Sequence, residues 1–211
     1  MTGKALIKEK ASPGAALKEM DIPSLGKRQV LVRVKAAAIC GTDIHIYNWN
    51  DWAAARVRTP MIFGHEFCGE VVSTGDSVTL VKPGDLVAGE THIPCGGCYQ
   101  CRTGAQHICR EMAILWVHTD GVFTDYTIIP EICAWRLPPG TDPEIGAIYE
   151  PFGVAAHGVL MHSLAGSSIV VFGCGPIGLF AVGIARAAGA SHVYAVDVID
   201  FRLRMAQQMG A

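Results

Sequence analysis

Hydrophobic and polar positions follow one pattern up to residue 160 and a different one after it. In the first part, short apolar runs alternate with turn residues. Residues 29–36, Q-V-L-V-R-V-K-A, alternate as a half-buried strand does, residues 69–73 and 85–88 are short strand-like runs, and Pro83 with Gly84 marks a tight turn. This part is therefore expected to be all-β, as a compact barrel or sandwich.

The part after residue 160 has the order strand, glycine turn, helix, strand. Strands are expected at residues 169–172 and 193–196, and the glycines Gly173, Gly175 and Gly178 between them fit the pattern G-x-G-x-x-G. In this βαβ context, backbone N–H groups at the N-terminus of the helix can bind the pyrophosphate of a dinucleotide. The pattern therefore predicts a nucleotide-binding unit.

An acidic residue follows the second of these strands. Asp197, about 20 residues after the glycines, can accept hydrogen bonds from a ribose and repels a 2′-phosphate, which favours NAD over NADP. Arg202 lies nearby, and an arginine there can instead bind that phosphate or stack on the adenine.

Charge and hydropathy exclude several classes of partner. Seventeen Lys and Arg face nineteen Asp and Glu, for a net charge of -2, without long blocks of like charge, so neither nucleic acid nor a membrane surface is the expected partner. The uncharged run of 17 residues at 169–185 approaches the length of a membrane span, but four glycines and Pro176 favour a buried strand and helix. The first ten residues lack the apolar core of a signal peptide, which predicts a cytoplasmic protein that binds a small molecule.

Four of the eight cysteines lie in one short segment. Cys95, Cys98, Cys101 and Cys109 alternate with glycines that can bend the backbone around an ion, and four thiolates bind zinc tetrahedrally. An iron–sulfur cluster, disulfides and free thiols are the alternatives. Since four thiolates leave no open coordination position, this zinc is expected to be structural.

Two further fragments carry residue types that ligate metals. They are A-I-C-G-T-D-I-H around Cys40 and P-M-I-F-G-H-E-F-C around His65. A single cysteine is usually a small buried hydrophobe, and a single histidine beside an acid is usually part of a core pair. Together they indicate a second metal site. The remaining thiols, Cys68, Cys133 and Cys174, are flanked by apolar residues or lie in a turn and are expected to be structural.

The fragment G-H-E-F-C-G-E-V-V-S-T-G-D-S-V, which begins at Gly64, resembles the signature of the zinc-containing alcohol dehydrogenases in the medium-chain dehydrogenase/reductase superfamily. The turn V-K-P-G-D-L-V from Val81, the four cysteines and the glycine pattern follow in the order that this family shows. Within the superfamily, C-G-T-D-I-H-I-Y-N-W-N-D-W from Cys40 is most similar to the branch that oxidises L-threonine. The resemblance extends over essentially all 211 residues.

The resemblance implies two domains of α+β and α/β class. A GroES-like β-barrel catalytic domain is expected over residues 1–160, and the N-terminal part of a Rossmann NAD-binding domain over residues 161–211, with the active site between them. The second domain is expected to be incomplete, since only two of about six parallel strands are visible. The resemblance also implies a homotetramer for the full-length protein.

The same resemblance implies roles for individual residues. Catalytic zinc would be held by Cys40, His65 and Glu66, with Gly64 providing the turn that lets consecutive residues share an ion, or with Glu150 in place of Glu66. Thr42 and His45 would relay the proton of the alcohol. Residues implied to contact the cofactor are Gly173, Gly175, Ile177, Gly178, Asp197 and Arg202.

The function implied is the zinc-dependent oxidation of the secondary hydroxyl of L-threonine by NAD, which gives 2-amino-3-oxobutanoate. A polyol or vicinal-diol dehydrogenase, of the sorbitol or butanediol type, is an alternative within the same superfamily. A zinc-stapled fragment without activity is an alternative of another class, because the strands that are not visible carry much of the nicotinamide pocket. Two roles are possible for the aromatic residues Tyr47, Trp49 and Trp52: they line a substrate pocket, or they pack at a subunit interface.

Overall fold

The structure, a computed structural model, describes residues 2–211. The chain divides into two units, Met1–Glu150 and Pro151–Ala211. The division falls inside the helix Tyr149–Val159, whereas the sequence pattern changes at residue 160. Each unit has its own apolar core.

The first unit is built mainly from short strands. A five-stranded antiparallel sheet has the order β10-β6-β5-β3-β9, a second sheet has the order β2-β1-β4, and β7 pairs with β8. The bounds of these strands are β1 Thr2–Lys8, β2 Ala16–Asp21, β3 Gln29–Ala38, β4 Met61–Ile62, β5 Glu66–Thr74, β6 Leu86–Gly89, β7 His92–Ile93, β8 Ala113–Ile114, β9 Tyr126–Pro130 and β10 Ala134–Arg136.

The strands expected from the hydrophobic pattern are confirmed. The segments 29–36, 69–73 and 85–88 lie in or overlap β3, β5 and β6, and these three strands are neighbours in the five-stranded sheet. Val30, Val32 and Phe67 are buried in the main core between the strands and the loops that cover them. The burial of β-branched and aromatic side chains on one side of a pleated sheet explains why the alternation is visible in the sequence.

The expectation that the first part is all-β is wrong, because it also contains helices. The first of them, α1 (Gly41–Asn48), buries only Asp43 and Ile46 and therefore shows no helical period of apolar residues. A capping box starts it, in which the Cys40 backbone N–H donates to Asp43 Oδ2 at 2.8 Å. The helices are α1 Gly41–Asn48, α2 Asp51–Arg56, α3 Tyr99–Arg102, α4 Pro143–Ala147 and α5 Tyr149–Val159, with 3₁₀ turns at Gln106–Ile108 and Glu131–Cys133.

A buried lysine fixes the C-terminal end of α1. Lys8 is 0% exposed, and its Nζ donates to the backbone carbonyls of Ser12, Gly14 and Tyr47 at 2.5, 2.8 and 2.9 Å. The ammonium group also lies 5.3 Å from the centre of the Trp49 ring. A cation is favoured at the C-terminal end of a helix, so Lys8 stabilises α1 while it joins the helix to the loop after β1.

Glu131 makes a buried anchor whose loss is expected to lower stability in a pH-dependent way. Its carboxylate accepts hydrogen bonds from the backbone N–H groups of Thr79 and Leu80 and from Arg28. These donors, the Thr79 N–H first, hold the pKa of Glu131 below its ordinary value of 4.5. We expect Glu131→Gln to lower the free energy of unfolding by about 2 kcal/mol at pH 7.

The pH dependence follows from the sign of this shift. The unfolded chain binds a proton at Glu131 at higher pH than the folded chain does. The stabilisation is therefore complete above pH 4.5 and is lost as the pH falls through the lower folded pKa. Urea unfolding of both proteins from pH 7 to pH 3 tests this. The two curves should converge at low pH, and a constant difference across the range would contradict the assignment. Glu19→Gln, at an exposed position on β2, is the control and should change little.

The second unit is a βαβ unit followed by a helix. Strands β11 (Ser168–Phe172) and β12 (His192–Val196) pair in parallel, and α6 (Pro176–Ala187) connects them. The helix α7 (Asp200–Gln208) follows. The predicted strand, glycine turn, helix and strand are thus confirmed. The run at residues 169–185 is a strand plus most of a helix, and among residues 2–211 no helix has the length and apolar character needed to cross a membrane.

Candidate functional site

Three side chains with metal-ligating atoms converge in the first unit. One ligand atom from each of Cys40, His65 and Glu66 lies within 4.8 Å of the others. Cys40 is the N-cap of α1, while Glu66 begins β5 and pairs with Ala38 at the end of β3. The neighbouring strands β3 and β5 therefore deliver the thiol and the two consecutive residues to one point, although 25 positions separate Cys40 from His65 in the sequence.

The turn expected at Gly64 is confirmed. Gly64 has φ +90°, a conformation that side chains other than glycine rarely adopt. A Cβ atom at this position would also lie 2.5 Å from the Phe123 ring. The turn places His65 just before the strand, so that His65 and Glu66 face one point instead of opposite sides of the sheet.

Buried polar groups around His65 fit a metal. Its Nδ1 lies 3.5 Å from Asp43 Oδ1, and both atoms are buried with no other partner in residues 2–211. A carboxylate beside one ring nitrogen keeps the proton there and leaves the other nitrogen for a metal ion. A thiolate, an imidazole and a carboxylate are ligands that zinc accepts, and three ligands leave a fourth position for a reactant.

The protein environment favours the thiolate form of Cys40. Its pKa is lowered, chiefly by the hydrogen bond with His65. Burial lowers the pKa of His65, but the interactions with Asp43 and Cys40 outweigh this effect and raise the pKa to about 10. The surroundings of Cys40 therefore favour its thiolate, the form that binds metals, and a metal ion bound here would replace the proton between Cys40 and His65.

Glu150, the alternative ligand, has a different partner. Its Oε1 accepts a hydrogen bond from the Thr91 hydroxyl at 3.2 Å, and it does not belong to the group formed by Cys40, His65 and Glu66. Burial raises the pKa of both Glu66 and Glu150, and the two negative charges oppose each other. Glu150 is thus near enough to affect the site electrostatically while its carboxylate is held by β6–β7 loop residue Thr91.

Thr42 and His45 lie on the helix that Cys40 caps. Thr42 Oγ1 is 3.7 Å from Cys40 Sγ, and His45 follows three positions later, on the same face of α1. His45 is exposed, and its Nδ1 lies 2.8 Å from Asn50 Nδ2. The Ala53 N–H donates to Asn50 Oδ1, so the amide nitrogen of Asn50 faces the ring, and neutral His45 carries its proton on Nε2.

A tryptophan that the sequence analysis did not identify packs on His65. The Trp116 ring centre is 4.7 Å from that of His65, and the backbone of Trp116 is left-handed, with φ 67°. This conformation costs a bulky residue about 1–3 kcal/mol, and such strain is concentrated at functional sites. No local pattern signals it, because the contact depends on residues 51 positions apart.

The four cysteines of the second cluster form a compact set. The ligand atoms of Cys95, Cys98, Cys101 and Cys109 all lie within 4.8 Å of one another, with Cys98 Sγ at 3.5 Å from Cys101 Sγ and 3.8 Å from Cys109 Sγ. Zinc–sulfur bonds of about 2.3 Å correspond to a tetrahedral edge of about 3.8 Å. All four are free thiols, so the spacing fits a four-thiolate metal site and no disulfide.

Backbone N–H groups also point at these sulfur atoms. The N–H groups of Cys98 and Glu111 donate to Cys95 Sγ and Cys109 Sγ, each at 3.4 Å. Hydrogen bonds from the backbone, that of Arg110 first, lower the pKa of the Cys98 thiol to about 6. These hydrogen bonds favour a thiolate at Cys98, whereas burial raises the pKa of Cys101 to about 12. A bound metal ion would therefore have to displace the proton of Cys101.

The glycine turn of the second unit brings backbone segments close together and leaves the N-terminus of α6 free of side chains. Gly173 has φ +88°, and a Cβ on Gly178 would lie 1.9 Å from the carbonyl oxygen of Gly173. Gly175 is the N-cap of α6, and nothing lies within 4 Å of where its Cβ would be. The N-terminus of α6 is thus bare of side chains on the side where an anion can approach.

We expect Gly178→Ala to disrupt this turn. A methyl group cannot fit 1.9 Å from a backbone oxygen, so the turn must shift, at a cost of about 3 kcal/mol. Gly183→Ala on the same helix is the matched control, because the nearest atom there is the flexible end of Met209 at 3.3 Å and alanine favours a helix by about 1 kcal/mol. Native-state hydrogen exchange in α6 measures both. Equal protection in the two variants would contradict the expectation.

Asp197 and Arg202 lie at the C-terminal end of β12. Both carboxylate oxygens of Asp197 accept hydrogen bonds from backbone N–H groups, that of Cys174 at 2.7 Å and that of Ile199 at 2.9 Å. Arg202 Nη1 lies 3.6 Å from Asp197 Oδ2. The hydrogen bond from Cys174 is the main reason that the pKa of Asp197 is lowered. Ile177, in the first turn of α6, is exposed beside the turn.

The remaining thiols are buried. Cys68, Cys133 and Cys174 are each 0% exposed, which confirms that they are core or turn positions. Of the aromatic residues left open by the sequence, Trp49 packs over Lys8, whereas Trp52 stacks with Trp116.

Known proteins are similar to this chain over its whole length. The L-threonine 3-dehydrogenase of Bacillus subtilis (strain 168) is 52% identical over 208 residues, which are 99% of this chain and 60% of that protein. The L-threonine 3-dehydrogenases of Bacillus licheniformis and Pyrococcus abyssi are 51% and 44% identical, over 99% and 98% of this chain and 60% of each relative. The chain therefore spans about 60% of the length of these relatives.

Solved structures show the same fold. A short chain alcohol dehydrogenase from Escherichia coli CFT073, complexed with NADH, is 33% identical with a TM-score of 0.89, and the match covers 100% of this chain and 61% of that one. The 2R,3R-butanediol dehydrogenase of Bacillus subtilis is 30% identical with a TM-score of 0.85, over 99% and 62% of the two chains. The matching structures include complexes with NADH and with NADP.

The family profile described as the alcohol dehydrogenase GroES-like domain matches residues 26–139. This match lies within the unit that contains Cys40, His65 and the four-cysteine cluster, and the βαβ unit that follows is the beginning of a Rossmann fold, as in the solved neighbours. Since the profile covers more than half of the 211 residues, the chain belongs to the family of alcohol dehydrogenases with a GroES-like domain.

Proposed function

We propose that this protein uses NAD and zinc to oxidise the 3-hydroxyl of L-threonine, giving 2-amino-3-oxobutanoate. The convergence of Cys40, His65 and Glu66 within 4.8 Å carries the proposal. The choice of L-threonine among secondary alcohols is supported by the similarity to L-threonine 3-dehydrogenases at 51% and 52% identity.

Cys40, His65 and Glu66 would hold the catalytic zinc, which when bound acts as a Lewis acid toward the hydroxyl oxygen of the substrate. Asp43 fixes the orientation of the His65 ring through its contact with Nδ1. Glu150, held by Thr91, adds negative charge beside the site and is the alternative third ligand. The chain would thus supply three zinc ligands, and the Asp43 carboxylate would orient one of them, His65.

Thr42 and His45 would carry the proton of the alcohol to solvent. The Thr42 hydroxyl lies 3.7 Å from the Cys40 sulfur, so it would be close to an alcohol bound at the metal. His45 is exposed to solvent, and its ring is held by Asn50. A hydroxyl next to the reacting atom and a solvent-facing imidazole one helical turn away form a short relay.

NAD would bind at the glycine turn of the second unit. The backbone at Gly173, Gly175 and Gly178 would receive the pyrophosphate at the N-terminus of α6, beside Ile177. The Asp197 carboxylate would accept hydrogen bonds from a ribose, and its negative charge would oppose a 2′-phosphate. Arg202, 3.6 Å from it, would contact the adenosine from the side. Preference for NAD over NADP is part of the proposal.

A second zinc, bound by the four thiolates, would hold the loop at residues 95–109 without taking part in the reaction. A cytoplasmic homotetramer that acts on a small molecule and binds neither nucleic acid nor membrane completes the proposal, on the resemblance alone.

A vicinal diol is the second candidate substrate. The structural match to 2R,3R-butanediol dehydrogenase supports it, and the zinc ligands would be the same. Comparing kcat/KM for L-threonine, 2,3-butanediol and sorbitol on one enzyme preparation separates the candidates.

The test combines metal content with activity. The protein as its gene encodes it is purified, zinc per chain is measured by elemental analysis, and NADH formation is followed with each alcohol. Two zinc ions and threonine-dependent NADH formation support the proposal. One zinc ion and no oxidation of any alcohol would leave the four thiolates as the metal site and overturn it.

A further inference from the structure

Trp116 is held in a conformation that a glycine would adopt more readily. Its φ of 67° is one of two positive values among the non-glycine residues in 2–211, and the other, at Trp49, ends α1. Backbone hydrogen bonds hold the segment on both sides of it. The Leu115 N–H donates to the Thr91 carbonyl at 3.0 Å, and the His118 N–H donates to the Ile114 carbonyl at 2.9 Å. The backbone is thus fixed around a strained residue.

The ring of Trp116 is one element of a continuous aromatic surface. Its centre lies 4.7 Å from that of His65 and 6.3 Å from that of Trp52, at an angle of 30° to each ring. Trp52 in turn lies 6.0 Å from His45. Two indole rings therefore extend from the proposed zinc ligand to the proposed relay histidine. We refer to Trp52 and Trp116 as the aromatic wall.

The position of the Trp116 ring depends on packing alone. Its Nε1 is buried and has no hydrogen-bond partner within residues 2–211, although a buried indole N–H usually has one. Trp116 is 8% exposed, and its ring stacks with Trp52 and lies tilted against His65. The indole is part of the main apolar core, whose packing offsets the cost of the strained backbone and of the unpaired N–H and fixes the ring beside His65.

We infer that Trp116, supported by Trp52, determines specificity by limiting the size of the group that a secondary alcohol can place beside His65. The inference rests on the proposed function and narrows its substrate class to short-chain secondary alcohols, those with a methyl group next to the reacting carbon. A ring that is 8% exposed and lies against both His65 and Trp52 has little room to move aside for an added carbon. One methylene too many in such a pocket lowers kcat/KM by about 10-fold to 200-fold.

The experiment compares wild type with Trp116→Gly, Trp116→Phe and the control Trp135→Ala, which removes an indole that is 66% exposed on β10. Two pairs of substrates differ by the length of the chain beside the hydroxyl. They are L-threonine with its ethyl homologue 2-amino-3-hydroxypentanoate, and 2,3-butanediol with 3,4-hexanediol. The first readout is the ratio of kcat/KM within each pair. The second is the dissociation constant of each alcohol for the NADH-loaded protein, measured by calorimetry, where the alcohol cannot be oxidised.

We expect Trp116→Gly to shift both ratios toward the longer alcohol by at least about 10-fold, Trp116→Phe to shift them less, and Trp135→Ala not to shift them. Ratios in Trp116→Gly equal to those of wild type would overturn the inference while the proposed function stands. If wild type neither oxidises nor binds any of the four alcohols, the proposed function fails and the inference with it. If Trp116→Gly does not fold, the Phe variant decides, because it retains a ring and still frees space.

Discussion

Replacing Cys40 by alanine is expected to remove one zinc ion per chain and to lower alcohol oxidation by at least about 1000-fold, with little change in the fold. Cys40 supplies the only sulfur of the Cys40, His65 and Glu66 group, and an imidazole and a carboxylate alone hold zinc weakly. Its side chain is half-buried at the start of α1, where the capping bond to Asp43 uses the backbone N–H and survives the substitution. The measurements are zinc content, kcat/KM and thermal unfolding.

Cys68→Ala is the matched control for this change. Cys68 lies on β5, two positions after Glu66, and its thiol is fully buried against Ala88, Leu137 and Ala147. Its removal creates a small cavity, so it should cost some stability but leave zinc content and activity as in wild type. A Cys40→Ala protein that retains both zinc ions, or one as active as Cys68→Ala, would show that Cys40 is not a ligand.

The sequence was sufficient to predict the features that depend on local chemistry. The βαβ unit could be recognised because β11, α6 and the glycines between them are neighbours in the chain, and the steric need for glycine at 178 arises within six residues. The four-cysteine cluster could be predicted in the same way, because Cys95, Cys98, Cys101 and Cys109 are close together in the sequence. Cys40 and His65 were recognised as candidate ligands by residue type, although their meeting depends on the pairing of β3 with β5.

What the sequence did not reveal depends on contacts between distant segments. The pattern of hydrophobic and polar residues does not show that the backbone of Trp116 is left-handed. The contact of Trp116 with His65 forms only when two segments distant in the sequence meet. The helix α1 was missed because it buries few residues and is held by capping and by Lys8, whose polar side chain gives no sign of its burial. The partner of Glu150, Thr91, is 59 positions away, so sequence reasoning could not choose between Glu66 and Glu150.

Replacing Cys101 by alanine is expected to release the second zinc and to unfold the loop at residues 95–109 while the sheets remain folded. This loop has little else to hold it. It contains only the four-residue α3 and a short 3₁₀ turn, and large apolar side chains such as Tyr99 and Ile108 are exposed. A segment with so few buried apolar contacts depends on its metal for folding. Since Arg102 and Arg110 lie in or next to the loop, trypsin can report its opening.

Limited proteolysis therefore measures the effect of the four-thiolate site directly. Cleavage after Arg102 or Arg110 should be at least about 100-fold faster in Cys101→Ala than in wild type, and a chelator should make wild type behave like the variant. Cys133→Ala, which removes a fully buried thiol outside the cluster, should remain resistant and keep its zinc. Equal cleavage rates in all three proteins would mean that the backbone alone fixes the loop. In that case the backbone N–H groups that donate to Cys95 and Cys109 would be sufficient to hold this conformation without a metal.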